Sequence, residues 1–203
     1  MWLGVVSVFG LAMAGGIYLM VIAGWVIVAI GSISLIAALG YTGGPVPYGY
    51  RGLGELFVFV FFGLIATVGS RYVHDQTAPL DAWLLAIPIG MLVTAILVAN
   101  NVRDVDTDRE TGKRTLAVML GREWTRHLFA LLVYGSFVLI ALFGALEWTP
   151  RPTLLALAAL PLAYLPVRNV YRETAGPALI AALKANARLH LVVGALLALG
   201  AAL

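Results

Sequence analysis

The chain of 203 residues contains no cysteine and few charges. Without cysteine it can form neither disulfides nor metal sites with thiolate ligands. Charged residues make up only 11% of the chain, whereas about 25% is usual in soluble globular domains. Hydrophobic residues make up 62%. This composition leaves no room for a soluble domain and indicates a membrane protein.

Long apolar runs take the place of the missing charges. A helix needs about 17 to 25 apolar residues to cross a bilayer, and such runs fill nearly the whole chain. They lack the two-residue alternation of transmembrane β-strands, so a closed β-barrel is excluded. We therefore predict an all-α, polytopic transmembrane helix bundle that forms a single domain over residues 1–203. The predicted segments are Trp2–Ile22, Trp25–Tyr41, Leu53–Tyr72, Leu80–Ala99, Thr125–Glu147, Pro152–Val167 and Asn186–Leu203.

The charges that remain are distributed unevenly between the two sides of the predicted bundle. If the loop after the second segment lies on one side, eleven Lys and Arg residues near segment ends lie there and two lie on the other. Lys and Arg are enriched in the cytoplasmic loops of membrane proteins. We therefore expect a multi-pass plasma-membrane protein whose residues 41–52, 101–124 and 168–185 face the cytoplasm. Because topology accounts for the basic surplus, we expect no nucleic-acid partner.

The stretch Tyr41–Glu55 combines backbone breakers with aromatic side chains. Its fifteen residues include five glycines and two prolines, which exclude a regular helix. A flexible turn between helices would have the same glycine content. Tyr41, Tyr48 and Arg51 favour a shaped loop that contacts a ligand, because binding residues often lie on loops. A further loop is predicted at Arg168–Ala185, where Lys and Arg more often anchor helices than bind phosphate.

The stretch Asn100–Thr115 is the most polar part of the chain, with four acidic and four basic residues among sixteen. Asn101, Asp104 and Asp108 follow the spacing N-x-x-D-x-x-x-D, which places them on one face of a helix. Two carboxylates one turn apart suit Mg²⁺, which keeps several waters and takes further ligands from substrate phosphates. The sequence therefore predicts a site for a metal-bound diphosphate. The cations suited to its phosphate oxygens are Arg103, Arg109, Lys113 and Arg114.

This polar stretch has three alternative interpretations. An EF-hand-like calcium loop would need glycine at its sixth position and glutamate at its twelfth, where this chain has Arg109 and Thr115. An ion pathway would place acidic residues near the middle of the bilayer, whereas here they lie near the ends of the predicted segments. A solvated run of mixed charges on a cytoplasmic loop has the same composition and stays open.

Three separated stretches resemble the UbiA superfamily of intramembrane aromatic prenyltransferases. NNVRDVDTDRETGKRTLAVMLG, residues 100–121, closely resembles the second aspartate-rich motif of that superfamily, in the form of its menaquinone branch, dihydroxynaphthoate polyprenyltransferase. YTGGPVPYGYRGLGE followed by FVFVFFG, and GPALIAALKANARLH near the C-terminus, also resemble that branch. The matches occur in the family's order and cover essentially the whole chain.

The resemblance implies a bundle of nine transmembrane helices around a lipid-accessible cavity, of which seven are expected here. It implies transfer of a polyprenyl group from an allylic polyprenyl diphosphate to 1,4-dihydroxy-2-naphthoate, with loss of CO₂ and diphosphate, to give demethylmenaquinone. Hydroxybenzoate or homogentisate is an alternative aromatic acceptor. A non-catalytic membrane fragment or subunit is the alternative from a different functional class.

The resemblance also assigns roles to individual residues. Asp104 and Asp108 would be the catalytic Mg²⁺ ligands, and Asn101 would be a neighbouring polar ligand or orienting group. Arg109 and Lys113 would contact the diphosphate. The complete set of expected substrate-binding residues is Asn101, Arg103, Arg109, Lys113, Arg114, Tyr41, Tyr48 and Arg51.

The chain departs from the family pattern in two places. The lysine that often follows the tyrosine at Tyr41 by four residues is replaced by Pro45, and Arg51 is the expected substitute. The first aspartate-rich motif is absent, and apolar sequence follows Met1 without the basic stretch of a signal peptide. We therefore expect an N-terminal portion to be missing. Activity is predicted for the complete protein and not for this chain alone.

Overall fold

The computed structural model describes residues 2–43, 47–173 and 176–203, which form helices and short connections. Within these ranges there is no strand, and seven helices are long and apolar enough to cross a bilayer, as predicted. The chain is therefore an all-α, multi-pass membrane protein. The helices are α1 Trp2–Ala23, α2 Trp25–Thr42, α3 Gly54–Asp75, α4 Leu80–Glu110, α5 Arg122–Ala145, α6 Arg151–Arg172 and α7 Gly176–Ala202.

Short connections and two irregular helices shape the bundle. Gly24 forms the turn between α1 and α2. Its φ of 80° lies in the left-handed region that glycine favours. The short helix Leu116–Leu120 connects α4 to α5. α3 contains a π-helical segment at Phe59–Ile65, and α6 begins as a 3₁₀-helix over Arg151–Ala163.

α4 lies at the centre of the main helix cluster. Its buried side chains, among them Leu92, Val98 and Val102, belong to a core that α5, α6 and α7 complete. Phe129 of α5 and Leu189 of α7 are fully buried in that core. Because lipid tails are as apolar as these side chains, close packing holds the helices together. The core therefore fixes the position of α4 and of the polar stretch at its C-terminal end.

α3 crosses α4 at two glycines. A Cβ added to Gly63 would lie 2.3 Å from the Cα of Gly90. Small residues of this kind let membrane helices approach closely. From this crossing the two helices run antiparallel, so the N-terminal end of α3 meets the C-terminal end of α4 at Glu55 and Asn101.

α1 and α2 form a hairpin at the periphery. α2 contains no buried residue, and Ala23 is the buried hydrophobic residue that α1 contributes. Beyond α3, two hydrogen bonds among the described residues connect the hairpin to the bundle: Gln76 Nε2 donates to the backbone carbonyl of Ile22 at 3.3 Å, and the Tyr48 hydroxyl donates to that of Ala37. Most of its apolar side chains therefore face away from the protein, as lipid-facing side chains do.

The prediction of a loop over Arg168–Ala185 is wrong, because most of these residues are helical. α6 continues to Arg172 and α7 begins at Gly176, so the seventh segment starts well before Asn186. Residues 178–187 are rich in alanine and leucine, which favour a helix. Asn186, which suggested a boundary, is fully buried, and its Nδ2 donates to the Leu92 carbonyl at 3.2 Å. The helix thus accommodates a polar residue by pairing it with a neighbouring helix.

Candidate functional site

The acidic motif forms the last turns of α4, as its spacing predicted. Asn101, Asp104 and Asp108 share one face of this helix. Asn101 is 8% exposed and Asp108 is 6% exposed, whereas the side chain of Asp104 is 32% exposed. A solvated run of mixed charges would leave all three in water. Two of the three oxygen-bearing side chains are instead shielded by the fold.

Each carboxylate of this face is paired with a nearby cation. Arg103 donates from Nε and Nη2 to the two oxygens of Asp104, both at 2.7 Å. Lys113 Nζ donates to Asp108 Oδ1 at 3.0 Å. This hydrogen bond holds the pKa of the Lys113 ammonium above its ordinary value. Two of the cations predicted to bind phosphate therefore lie directly on the acidic motif.

Asp106 is turned away from that face. Its Oδ2 accepts a hydrogen bond from Arg122 Nη2 at 2.6 Å, and Arg122 Nη1 also donates to the Val102 carbonyl at 2.7 Å. Because residues 104–110 are helical, the three aspartates do not converge as they would in an EF-hand loop. The structure excludes the calcium-loop interpretation.

Residues 47–53, here called the strap, lie against the loop that follows α4. The backbone N–H of Arg114 donates to the Tyr50 carbonyl at 3.0 Å. Lys113 Nζ lies 5.2 Å from the centroid of the Tyr50 ring, within the range of a cation–π contact. Gly52 has a φ of 74°, and a Cβ there would lie 2.8 Å from the sulfur of Met119. The strap is therefore held beside the acidic motif.

The remaining predicted arginines lie around the strap and the end of α4. Arg51 and Arg114 line a cavity of about 560 Å³ together with Tyr50. Arg109 is exposed, and it forms no ion pair in the described part of the chain. Pro45 lies outside the described residues, so the substitution of Arg51 for the family lysine stays a prediction.

Tyr41 and Tyr48 line a mainly apolar cavity of about 630 Å³ between α2 and α3. Their rings meet edge to face at 5.5 Å, and Tyr48 stacks on Phe57 at 3.8 Å between centroids. The Tyr48 hydroxyl donates to the Ala37 carbonyl, and burial raises the pKa of this phenol. Tyr48 therefore forms part of an apolar wall and is not grouped with the charges of the motif.

A second apolar cavity lies between α3, α4 and α7. Its volume is about 520 Å³, and Phe62 and Leu97 are among its lining residues. Asn100 and Lys184 are the polar residues that line it. Asn100 Nδ2 also donates to Asp104 Oδ2 at 3.5 Å, so this cavity reaches from the apolar part of the bundle to the acidic motif.

Glu55 is a polar residue of the site to which the sequence analysis assigned no role of its own, although it lies in the stretch predicted to contact a ligand. It is 7% exposed, and its Oε1 accepts a hydrogen bond from Asn101 Nδ2 at 2.9 Å. The two residues are 46 positions apart, so no local spacing connects them. The signal in the sequence was an acidic residue at the start of an apolar segment, directly after a glycine-rich loop.

The oxygen donors fit a divalent cation that is shared with a substrate. Asp104, Asp108 and Asn101 offer hard oxygen atoms, and Mg²⁺ commonly takes one or two protein carboxylates together with phosphate oxygens and water. Among the described residues there is no cluster of three His, Cys, Asp or Glu side chains that could hold a metal. The motif therefore suits a metal whose coordination is completed by phosphate.

The sequence matches one family model and several curated relatives. Residues 2–192 match the UbiA prenyltransferase family. The chain is 40% identical over 200 residues to the 1,4-dihydroxy-2-naphthoate octaprenyltransferase of Mycobacterium leprae, a match that covers 98% of this chain and 64% of the relative. The enzyme of the same name from Escherichia coli is 44% identical over 144 residues, with 71% and 47% covered. That of Mycobacterium tuberculosis is 39% identical over 191 residues, with 94% and 63% covered.

The chain spans less than two thirds of the length of each of these three relatives. The family match, in contrast, extends over nearly the whole of this chain and includes the acidic face of α4, the strap and most of α7. It agrees with the helical membrane architecture. The chain belongs to the UbiA prenyltransferase family.

Proposed function

We propose that the protein transfers a polyprenyl group from an allylic polyprenyl diphosphate to 1,4-dihydroxy-2-naphthoate. Three relatives named as 1,4-dihydroxy-2-naphthoate octaprenyltransferases, at 39–44% identity, support this substrate class. The observation that carries the proposal is the acidic face of α4, where Asp104 and Asp108 each hold a cation suited to phosphate. This face lies at the polar end of an apolar cavity, as a ligand with a charged head and a hydrocarbon tail requires.

Asp104 and Asp108 would hold Mg²⁺, with Asn101 as a neighbouring oxygen donor. When bound, the ion neutralises negative charge on the diphosphate leaving group. Without a ligand, Arg103 and Lys113 donate to the two carboxylates. When diphosphate is bound, both side chains could instead donate to its oxygens, because charge-assisted hydrogen bonds of this kind are strong. The motif therefore supplies both the metal ligands and the cations that bind the leaving group.

The apolar cavity between α3, α4 and α7 is proposed to have two roles in this reaction: to hold the hydrocarbon chain and to keep water away from the reacting cation. The cavity between α3, α4 and α7 accepts hydrocarbon, since its lining is almost entirely apolar. The C–O bond to diphosphate breaks, the ring carbon that bears the carboxylate forms the new C–C bond, and the carboxylate leaves as CO₂. Water would capture the allylic cation, and the almost entirely apolar lining offers water no hydrogen-bonding partner beside it. The site is proposed to face the cytoplasm of a plasma membrane, because the basic residues accumulate on that side.

A prenyl-transfer assay tests the proposal. Membranes that contain the chain are supplied with dihydroxynaphthoate, a polyprenyl diphosphate and Mg²⁺, with EDTA as the control, and the extracted quinones are identified by mass spectrometry. A second preparation joins the chain to the part of the M. leprae relative that the match leaves uncovered. The expected product is demethylmenaquinol, recovered as demethylmenaquinone after oxidation by air during extraction, and in either preparation it should disappear with EDTA.

Asp104→Asn and Asp108→Asn should each reduce this activity at least about 100-fold, the usual effect of removing one group that stabilises a transition-state charge. Asp106→Asn is the matched control, since Asp106 pairs with Arg122 away from the motif, and it should keep most of the activity. All three variants should insert into membranes equally. Wild-type turnover in the Asp104 or Asp108 variant would contradict the metal assignment.

Two other functions have distinct outcomes in the same assay. A prenylated hydroxybenzoate or homogentisate, formed in place of the naphthoate product, would assign a different acceptor to the same site. No product from either preparation with any of the three acceptors would favour a non-catalytic membrane subunit.

A further inference from the structure

Glu55 is a buried carboxylate in the first turn of α3. It is 7% exposed and accepts a hydrogen bond from the amide of Asn101 at 2.9 Å. Within residues 2–43, 47–173 and 176–203 it forms no ion pair with a Lys, Arg or His side chain. Burying a carboxylate beside a neutral partner is costly, and an apolar side chain would fill this position at lower cost.

The side chain of Asn101 has two chemically different ends. Nδ2 donates hydrogen bonds and Oδ1 accepts them, and the two ends exchange places when the amide turns over. Oε1 of Glu55 accepts the hydrogen bond from Nδ2, and this contact holds the orientation in which Nδ2 points toward Glu55. Oδ1 is then directed away from Glu55. A carboxamide oxygen is a hard ligand suited to Mg²⁺ or to a water bound by it.

We propose that Glu55 is a positioning residue, which fixes the Asn101 amide so that Oδ1 faces the metal-bound diphosphate beside Asp104 and Asp108. This inference rests on the proposed function. Partners that orient a metal ligand through its other polar atom are a general feature of metal sites, and their loss weakens metal binding by about 10- to 100-fold. Glu55 would act through Asn101 without touching substrate.

The strap couples this orientation to the cationic side of the site. Glu55 follows the strap by two residues, and the strap itself is bound to the loop after α4 through the Tyr50 carbonyl and the Arg114 N–H. Lys113, which pairs with Asp108, also lies over the Tyr50 ring. The segment from Tyr50 to Glu55 is therefore attached to the acidic motif at both ends. Asn101 is oriented only while this segment is in place.

The test measures metal binding without turnover. The full chain is purified in detergent, and Mn²⁺ binding in the presence of inorganic diphosphate is followed by electron paramagnetic resonance. In Glu55→Gln the side chain keeps its shape but can both donate and accept, so the Asn101 amide is no longer confined to one orientation. We expect Mn²⁺ affinity to fall by about 10-fold or more. The control is Glu147→Gln, two residues beyond the C-terminal end of α5, where the side chain is exposed and pairs with Arg151; it should leave the affinity unchanged.

A mutant cycle separates positioning from a structural role. If Glu55 acts through Asn101, adding Glu55→Gln to an Asn101→Leu variant should change the Mn²⁺ affinity less than about twofold. The reason is that the effects of coupled residues are not additive. An equal loss in both backgrounds would show that Glu55 acts elsewhere and would overturn the inference. A lower melting temperature of the metal-free Glu55→Gln variant with unchanged Mn²⁺ affinity would overturn it as well.

Asp108→Asn distinguishes the inference from the proposed function. If this variant loses Mn²⁺ binding and Glu55→Gln does not, the inference alone is wrong. If Asp108→Asn binds Mn²⁺ and diphosphate like the unaltered chain, the acidic face is not the metal site and both are wrong. Failure of the unaltered chain to bind Mn²⁺ with diphosphate would overturn the inference, whereas the prenyl-transfer assay with the joined preparation decides the proposed function separately.

Discussion

At the level of single residues, the buried carboxylate of Asp108 depends on a cationic partner. Its carboxylate is buried, and Lys113 Nζ lies 3.0 Å from Oδ1. A buried carboxylate is destabilising unless it is paired. Lys113 therefore stabilises the folded site before any ligand arrives, and the same ammonium is available for phosphate.

The Lys113–Asp108 pair predicts a pH dependence of stability. The hydrogen bond raises the pKa of Lys113 above its unfolded value of about 10.5. The pair therefore stabilises the fold fully below that value, and this contribution is lost as the pH rises through the folded pKa. Lys113→Gln should lower the melting temperature from pH 7 to 9. Its difference from the unaltered chain should shrink above about pH 10.5, as thermal unfolding in detergent would show.

Lys184→Gln is the control for this series. Lys184 is exposed on α7 and forms no ion pair within the described ranges, so its replacement should have a small effect at every pH tested. A melting-temperature difference for Lys113→Gln that stays constant to pH 11 would mean that this ammonium does not stabilise the site.

At the level of helices, the contact between α3 and α4 depends on two glycines. The Cα of Gly90 lies where a side chain on Gly63 would have to be. α3 also carries the π-helical segment Phe59–Ile65 at this crossing, and π-helical turns are frequent at functional sites. The crossing sets the position of Glu55 relative to Asn101, because both lie toward the same end of the helix pair.

Gly63→Ala should destabilise the protein by roughly 1–3 kcal/mol, since an added methyl group has no space and forces the helices apart. Gly69→Ala is a matched control in the same helix, where a Cβ has no atom within 4 Å. That replacement should be neutral or stabilising by up to about 1 kcal/mol, because alanine favours a helix over glycine. Melting temperatures in one detergent compare the two. Equal melting temperatures would show that α3 can move away from α4 without loss.

The sequence predicted the helices better than it predicted their ends. Each long apolar run became a spanning helix because its length and apolarity leave few alternatives in a bilayer. The start of α7 was missed because Lys184 and Asn186 looked like interfacial residues. Asn186 is in fact buried and paired with the Leu92 carbonyl, a contact between distant parts of the chain.

In the candidate site, too, relations within one helix were predicted and contacts between distant parts of the chain were not. Helical spacing was enough to place Asn101, Asp104 and Asp108 on one face, because this relation is local. The pairing of Glu55 with Asn101 depends on how α3 packs against α4, which no local pattern encodes. Tyr48 was predicted to contact substrate because of its loop, and this stays a prediction; that its ring lines an apolar cavity depends on tertiary packing, which the loop sequence does not encode.

At the level of the whole molecule, the arrangement of charges predicts an orientation in the membrane. The strap, the end of α4, the loop after it and the start of α5 carry seven of the thirteen Lys and Arg residues, whereas the connection between α3 and α4 carries none. Because the chain has no cysteine, single cysteines can be introduced as unambiguous labels. Thr77, between α3 and α4, and Glu123, in the first turn of α5, are both exposed.

Thr77→Cys should react with a membrane-impermeant maleimide in intact cells, and Glu123→Cys should react in inverted vesicles. This result is expected because Lys and Arg accumulate on the cytoplasmic side. Each variant in the other preparation serves as its own control. The opposite labelling pattern would place the acidic motif on the external side.

The ion pairs Arg103–Asp104 and Lys113–Asp108 also affect which anions the site can bind. Arg103 and Lys113 are already occupied by Asp104 and Asp108, so an anion that arrives alone must compete with two carboxylates. A diphosphate that brings a divalent cation offers a partner to each group, since the cation takes the carboxylates and the phosphates take the arginine and lysine. With the function proposed above, the site would therefore select against anions that arrive without a cation and would admit a prenyl diphosphate as its metal complex.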